Sequence, residues 1–148
     1  MGVLALALCG GAARGAAAQL SVQPSGPDPL RAQLDSVSAR AGGLRLLREP
    51  WMGALDEGAR ADRWVRLRAG QRYTLLGVCD LDCSGLELRM FDAAGAEVAH
   101  AADTADLPII PVVPARSGRY RLRVTMLRCV AAPCGFGVGV YADAARRR

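Results

Sequence analysis

Acidic side chains collect in and just after a short loop bounded by cysteines, and they are the first candidates for chemistry in this sequence. Asp80 and Asp82 lie two residues apart between Cys79 and Cys83, and Asp92 follows the next strand-like segment. Because calcium takes roughly six to eight oxygen ligands, often from loops, these three carboxylates are candidate calcium ligands, although their spacing does not match an EF-hand. The alternative is that Asp80 and Asp82 cap a turn through bonds to nearby backbone amides. The wider set of candidate ligands adds Glu87, Asp103 and Asp106.

The cysteines predict disulfides rather than a metal site. Cys9 lies in the N-terminal segment, and the other four form a C-x3-C loop, Cys79 and Cys83, and a C-x4-C loop, Cys129 and Cys134. An even number in an exported chain indicates two disulfides, with three pairings open. We favour the two local bridges, each pinning a hairpin or corner, but bridges between the loops stay open if both lie at one rim. A four-thiolate zinc site is the rival interpretation, although its usual spacing is C-x2-C.

Arginines alternate along two strand-like segments and form a candidate anion-binding surface. Arg119, Arg121 and Arg123 share one strand face, and Arg66 and Arg68 share another. If those strands are neighbours, the outer sheet face is basic and would attract lipid A, an acidic polysaccharide or a partner. The alternative is an ordinary solvated face with acids interspersed among the arginines.

Catalysis has little support in the sequence. The single histidine, His100, would have to serve any Ser-His-Asp set, and no G-x-S-x-G motif is present. Gly135, Gly137 and Gly139 alternate within a strand-like segment, which suits close packing better than phosphate binding. We therefore expect a protein that is not an enzyme.

The composition is that of one globular domain with a hydrophobic core. The chain has 148 residues and a net charge of +5, and all 19 of its basic Lys or Arg residues are arginine. Replacement of lysine by arginine throughout is typical of a codon bias towards G and C, so the charge is weak evidence for a nucleic-acid partner. The arginines are scattered and aromatics are few, and we expect no nucleic acid. No apolar run reaches transmembrane length.

The first residues predict export. Residues 1–18 resemble a signal peptide, with an apolar core at residues 3–9 and Ala16-Ala17-Ala18 before Gln19 as a cleavage site. The alternative is an N-terminal helix of the mature fold. We expect a periplasmic or extracellular protein.

The next segments predict a linker and a helix. Residues 19–29 form a proline-rich linker, and Asp28-Pro29 is a sound helix start. Leu30, Leu34, Val37 and Ala41 form one apolar stripe, which predicts a helix over 30–43 that ends at Gly42-Gly43. It would pack against an edge or open face of a sheet, or remain a loosely docked arm.

From residue 44 to 142 the pattern is that of short strands. The strand-like segments are 44–47, 63–68, 73–78, 86–90, 97–100, 108–114, 119–126 and 136–140. In the cleanest of them, Tyr120, Leu122, Val124 and Met126 should face inward, while the prolines of 108–114 confine that segment to an edge. Residues 51–58 are interpreted as a loop whose Trp51 and Met52 cap the core or, alternatively, expose a sugar-binding platform. The spacing predicts an all-β antiparallel sandwich of seven or eight strands, followed by a basic tail at 143–148.

Three segments together resemble the bacterial pre-peptidase C-terminal domain, over about residues 60–142. They are Leu67-Arg68-Ala69-Gly70-x-x-Tyr73, then Leu86-x-Leu88 leading to Phe91-Asp92-x-x-Gly95, then Ser117-Gly118-x-Tyr120-x-Leu122-x-Val124. The resemblance implies a jelly-roll-like sandwich of the kind appended to secreted proteases and other exported enzymes. It also implies that calcium or a polymeric substrate is bound. We expect the chain to depart from the family in having no attached catalytic domain.

These patterns together predict a monomeric, exported, non-catalytic binding module of the periplasm or cell envelope, with calcium as a candidate stabilising ion. Its expected partner is an envelope component or a polysaccharide. The alternative is a structural or interaction protein that associates with an exported enzyme or another envelope component.

Overall fold

The fold is described by a computed structural model that covers residues 28–103 and 107–143. The predicted signal peptide, most of the 19–29 linker, Asp106 and residues 144–148 lie outside the described residues. Within them the chain forms one helix and nine strands. The elements are α1 (Pro29–Ala41), β1 (Leu44–Leu46), β2 (Trp51–Leu55), β3 (Arg60–Leu67), β4 (Tyr73–Cys79), β5 (Cys83–Phe91), β6 (Glu97–Asp103), β7 (Ile109–Val112), β8 (Gly118–Cys129) and β9 (Cys134–Asp143).

The strands form two antiparallel sheets that face each other. The first has the order β1-β9-β4-β7, with β2 also paired to β9, and the second has the order β3-β8-β5-β6. β1 pairs with the last residues of β9 and β2 with its first half, so the two short strands share one edge position. Each sheet therefore has four strand positions, arranged as in a jelly roll. The predicted all-β, jelly-roll-like sandwich with one N-terminal helix is confirmed.

The structure has one strand more than the sequence predicted. The additional strand is β2, so the prediction that residues 51–58 form a loop was wrong for residues 51–55. Gly53 pairs with Phe136 of β9, and a Cβ at Gly53 would lie 2.7 Å from the Phe136 ring. The strand therefore needs glycine where an alternating pattern would place a larger side chain. Trp51 is half-buried and meets Phe136 edge to face, with ring centroids 5.2 Å apart. That contact supports the core-capping interpretation of Trp51.

The main core lies between the two sheets. Tyr120, Leu122, Val124 and Met126 of β8 are all buried there, as their alternation predicted. They pack with apolar side chains of β5 and with inward residues of the first sheet, among them Leu75 and Phe136. The alternating pattern was informative because β8 has one face in the core and the other in solvent.

The helix covers the outside of the first sheet and completes a third layer. Leu34 is fully buried against Leu76 and Val78 of β4 and Tyr141 of β9. β4 is thus covered on both faces, which explains its nearly continuous apolar sequence. The Asp28 carboxylate accepts a hydrogen bond from the Leu30 amide at 3.0 Å, as expected of an N-cap. Among the described residues, no helix is long and apolar enough to cross a membrane.

Two finer predictions also hold. β7 pairs with β4 alone and lies at the edge of its sheet, as the prolines required. Gly137 lies under the helix layer, because a Cβ there would stand 3.1 Å from Met52 and 3.2 Å from Leu34. Ala41, by contrast, is exposed, so the packed stripe of the helix ends earlier than predicted.

Candidate binding surface

The four cysteines close one end of the sandwich. Cys79 bonds to Cys83 and Cys129 bonds to Cys134, which confirms the two local disulfides. In each pair, one cysteine lies in the first sheet and its partner in the second, so each bridge joins the two sheets. Cys83 and Cys129 are direct neighbours across β5 and β8. We call this end, formed by loops 79–83 and 129–134, the cysteine rim.

The carboxylate of Asp80 is used to hold the cysteine rim together. It accepts hydrogen bonds from the backbone amides of Asp82 and Gly135. The Asp82 carbonyl in turn accepts the Val130 amide at 2.8 Å, which ties the two loops to each other. Asp80 therefore does what the turn-capping alternative expected.

The structure does not bring the three predicted calcium ligands together. Asp92 follows the end of β5 opposite to the cysteine rim, where it caps the turn into β6 by accepting the amides of Ala94 and Ala96, each at 2.9 Å. A nine-residue strand separates it from Cys83, about 30 Å at the usual rise per residue. Within residues 28–103 and 107–143, no group of three or more His, Cys, Asp or Glu side chains could hold a metal ion. The side chain of Asp103 and all of Asp106 lie outside what is described.

Glu87, Arg89 and His100 form a small polar cluster on the solvent side of the second sheet. The Glu87 carboxylate lies 2.9 Å from an Arg89 nitrogen and 3.0 Å from His100 Nε2. The hydrogen bond from Arg89 lowers the pKa of Glu87, burial opposes this, and the bond from His100 lowers it further. The histidine side chain is 40 % exposed. Its neighbours are those of a surface ion-pair network rather than of a nucleophile.

The three arginines of β8 alternate on the same solvent side, as predicted, and β3 lies beside them. We call this surface the outer face. Its main residues are Asp62, Trp64, Arg66, Glu87, Arg89, Phe91, Glu97, His100, Arg119, Arg121 and Arg123. The neighbouring strands place Arg66 opposite Arg119, and Asp62 opposite Arg123. The outer face therefore carries interspersed acids, but it has more arginines than carboxylates.

Two of the β8 arginines are already engaged within the protein. Arg123 donates two hydrogen bonds of 2.7 Å to the Asp62 carboxylate, and Arg121 lies 3.7 Å from the same group. The bonds from Arg123 hold the pKa of Asp62 below its ordinary value, although partial burial acts in the opposite direction. Arg121 also stacks 4.6 Å from the centre of the Phe91 ring. Such planar stacking and forked pairing are typical of arginine.

Arg119 differs, because it stacks on an exposed aromatic ring and has no carboxylate partner among the described residues. Its guanidinium lies 4.7 Å from the ring centre of Trp64, which is 46 % exposed. Arg66, which faces it across the strands, is also exposed. This corner of the outer face therefore keeps unneutralised positive charge.

An arginine-lined cleft, which the sequence did not reveal, begins at that corner. It occupies about 550 Å³ at the end of the sandwich opposite to the cysteine rim. We call it the arginine cleft. Its polar lining consists of Arg45, Arg48, Arg66, Arg68, Gln71, Tyr73 and Ser117. The sequence already placed Arg66 and Arg68 on one strand face, but only the three-dimensional pairing brings Arg45 and Arg48 beside them.

A narrow cavity of about 40 Å³ continues from the arginine cleft along the open side of the sandwich. It shares Leu47, Arg48 and Arg66 with the cleft and is also lined by Trp51 and Trp64. Both tryptophans thus lie close to the arginines. The resemblance to the pre-peptidase C-terminal domain remains a prediction. Comparison with models of known families and with curated proteins finds no match to this chain.

Proposed function

We propose that this protein is a non-catalytic binding module that works in the periplasm or cell envelope and takes an anionic envelope component or polysaccharide as its ligand. The observation that carries the proposal is the continuous basic surface formed by the arginine cleft and the adjoining corner of the outer face. Two disulfides support an exported location, because such bonds persist in oxidising compartments.

The surface favours binding through charge. Arg45, Arg48, Arg66 and Arg68 are all exposed, and the described part of the chain offers none of them a carboxylate within ion-pair distance. Their field is therefore open to an external anion rather than cancelled by an internal one. A planar guanidinium also pairs with carboxylate, sulfate or phosphate through two parallel hydrogen bonds.

Retention on immobilised glycans tests this function. We expect the purified chain to bind polygalacturonate or heparin beads, to elute as salt is raised, and to pass through neutral dextran beads, because charge contacts weaken with ionic strength. Cell fractionation tests the proposed location, and we expect the protein outside the cytoplasm. Failure to bind any anionic matrix at low salt would refute the proposed function.

The cysteine rim supports the second candidate, a structural or interaction protein associated with an exported enzyme or envelope component. Leu81 and Val130 lie at the tips of the two disulfide loops and are 104 % and 83 % exposed. The backbone hydrogen bond between Asp82 and Val130 holds these loops side by side, so the positions of both apolar side chains relative to each other are fixed. Exposed apolar groups held in fixed positions are suited to a protein contact.

Pull-down from an envelope extract distinguishes the two candidates. An interaction role predicts a protein captured by the wild-type chain and lost with Leu81→Ser/Val130→Ser, whereas glycan binding stays unchanged in that variant. Capture that is equal for wild type and variant would exclude the cysteine rim as the contact surface.

A further inference from the structure

We infer that the arginine cleft, rather than the Arg119, Arg121 and Arg123 set, is the primary ligand site, and that its ligand is an acidic oligosaccharide. The inference rests on the proposed function and specifies both its site and its substrate class. It depends on which arginines already pair with carboxylates of the protein and which remain free to pair with an external anion.

The cleft is built from parts of the chain that only the fold brings together. Arg45 lies in β1, Arg48 in the segment between β1 and β2, Arg66 near the end of β3, and Arg68 just after β3. β1 belongs to the first sheet and β3 to the second, so the arginines stand on two walls of one concavity. Paired β-strands hold Arg45 and Arg66 in position before a ligand arrives, which lowers the cost of binding, and Arg48 and Arg68 lie in the segments that adjoin those strands.

Among residues 28–103 and 107–143, no carboxylate forms an ion pair with the arginines of the cleft. Two described acids directly follow a lining residue of the cleft in sequence. Asp143 follows Ala142 and is engaged by Arg72 at 3.6 Å and by the Thr74 hydroxyl at 3.3 Å. Glu49 follows Arg48 but pairs with Arg31 of the helix at 2.6 Å. Both acids therefore serve other cations, and the cleft keeps its positive charge.

The predicted β8 set is less suited to a ligand. Arg123 would have to give up its two bonds to Asp62, and Arg121 would have to leave the same carboxylate and the Phe91 ring. The Arg121 Nε atom is buried without a hydrogen-bond partner in the described part of the chain, where a ligand does not reach it. Arg119 alone remains available, and it extends the charge of the cleft through Arg66.

The remaining lining of the cleft favours a hydroxyl-rich anion. The exposed Ser117 hydroxyl accepts the Ala69 amide, so its O–H still has its own proton to donate to a ligand, whereas the buried Tyr73 oxygen accepts the Arg68 amide and serves to hold the wall of the cleft. Trp64 lines the adjoining narrow cavity and is 46 % exposed, so the part of its ring that Arg119 does not cover offers a flat apolar surface beside Arg66 on which a sugar ring can pack. A volume of about 550 Å³ lies within the usual range for small-ligand sites.

A lipid bilayer fits this surface less well. The cleft is concave, and of its three larger apolar side chains Leu67 and Tyr73 are 2 % and 4 % exposed and Leu47 is half-buried, so little apolar surface is free to insert into lipid. The carboxylates of a polyuronate and the sulfates of a sulfated glycan share the oxyanion chemistry that guanidinium recognises. The experiment below therefore compares a polyuronate with a sulfated glycan, and binding to a membrane instead would contradict the inference.

The test is a calorimetric titration of the purified chain with tetragalacturonate, a heparin-derived tetrasaccharide, neutral maltotetraose, and vesicles containing phosphatidylglycerol. The variant Arg45→Ser/Arg68→Ser removes two cleft charges. The matched control, Arg60→Ser/Arg128→Ser, removes two exposed arginines near the cysteine rim. We expect one of the acidic tetrasaccharides to bind, with affinity about tenfold or more weaker in the cleft variant and within about twofold of wild type in the control.

Each contrary result has a distinct meaning. Absence of binding to both acidic tetrasaccharides, and to every anionic matrix, would remove the proposed function itself. Binding that weakens equally in both variants, or only when Arg119, Arg121 and Arg123 are replaced, would overturn the cleft as the site and leave the function standing. Binding to vesicles and not to glycans would overturn the ligand class. If the cleft variant fails to fold, backbone NMR of the wild-type chain decides: the amides of Gln71 and Ser117 must shift with ligand.

Discussion

Replacing Leu34 by alanine should destabilise the protein strongly, because this side chain attaches the helix to the sandwich. Leu34 is fully buried and packs on Leu76, Val78 and Tyr141, which are themselves at most 2 % exposed. Its Cδ1 lies 3.2 Å from the position that a Cβ on Gly137 would occupy, so the leucine rests directly on the sheet backbone. Truncation to alanine leaves space that no described neighbour fills. Such changes cost about 2–5 kcal/mol, and we expect about 2–3 here because a peripheral helix can settle partly into the gap.

Urea unfolding followed by tryptophan fluorescence measures this cost. Gln33→Ala is the matched control, since Gln33 is exposed on the same helix and alanine is a good helix former. A loss of 2–3 kcal/mol corresponds to a fall in Tm of about 10 °C for a domain of this size. If Leu34→Ala lowers the unfolding free energy by less than about 1 kcal/mol, or by no more than Gln33→Ala does, the helix is not an integral layer of the fold. That result would favour the loosely docked arm instead.

Three further predictions follow from bonds described above. Cys79→Ser/Cys83→Ser should lower the unfolding free energy by about 2 kcal/mol through loss of a short closed loop, measured by urea titration, and an unchanged midpoint would contradict this. Asp62→Asn should cost about 1 kcal/mol at neutral pH. Because the native pKa of Asp62 is lowered, this difference should begin to shrink as pH falls below about 4 and should vanish only once pH is below the native pKa, and a pH-independent difference would contradict the pairing. Calcium at millimolar concentration should leave Tm unchanged, since the carboxylates of Asp80 and Asp92 already bind backbone amides at opposite ends of a strand, and a calcium-dependent rise would restore the metal hypothesis.

Features that depend on neighbouring residues could be predicted from the sequence. Asp28 and Pro29 mark the helix start because capping acts over two or three residues. Alternation from Tyr120 to Met126 identified the buried side of β8, because one face of that strand meets the core. The disulfides could be predicted for the same reason, since each joins cysteines four or five residues apart.

Features that depend on register between distant strands could not be predicted in this way. β2 was missed because Gly53 must remain small under the Phe136 ring, which removes the expected alternation. The Asp62–Arg123 pair joins residues 61 positions apart, and nothing local in the sequence indicates it. The arginine cleft was missed for the same reason, because Arg45 and Arg66 belong to different sheets that only the folded topology aligns.

The placement of both disulfides at one end gives the two sheets unequal freedom along their length. At the cysteine rim, two disulfides tie the sheets together. At the arginine cleft no disulfide joins the described strands, and the sheets are connected by segments 68–72 and 113–117 and by hydrogen bonds such as that from the Gly70 amide to the Pro114 carbonyl. Spontaneous separation of the sheets should therefore begin at the cleft and hinge about the bridged end. Amide hydrogens should then exchange faster near Tyr73 and Ala142 than near Cys79 and Phe136, on the same two strands. The two disulfides thus make the end that contains the arginine cleft the more adaptable part of an otherwise stiff sandwich.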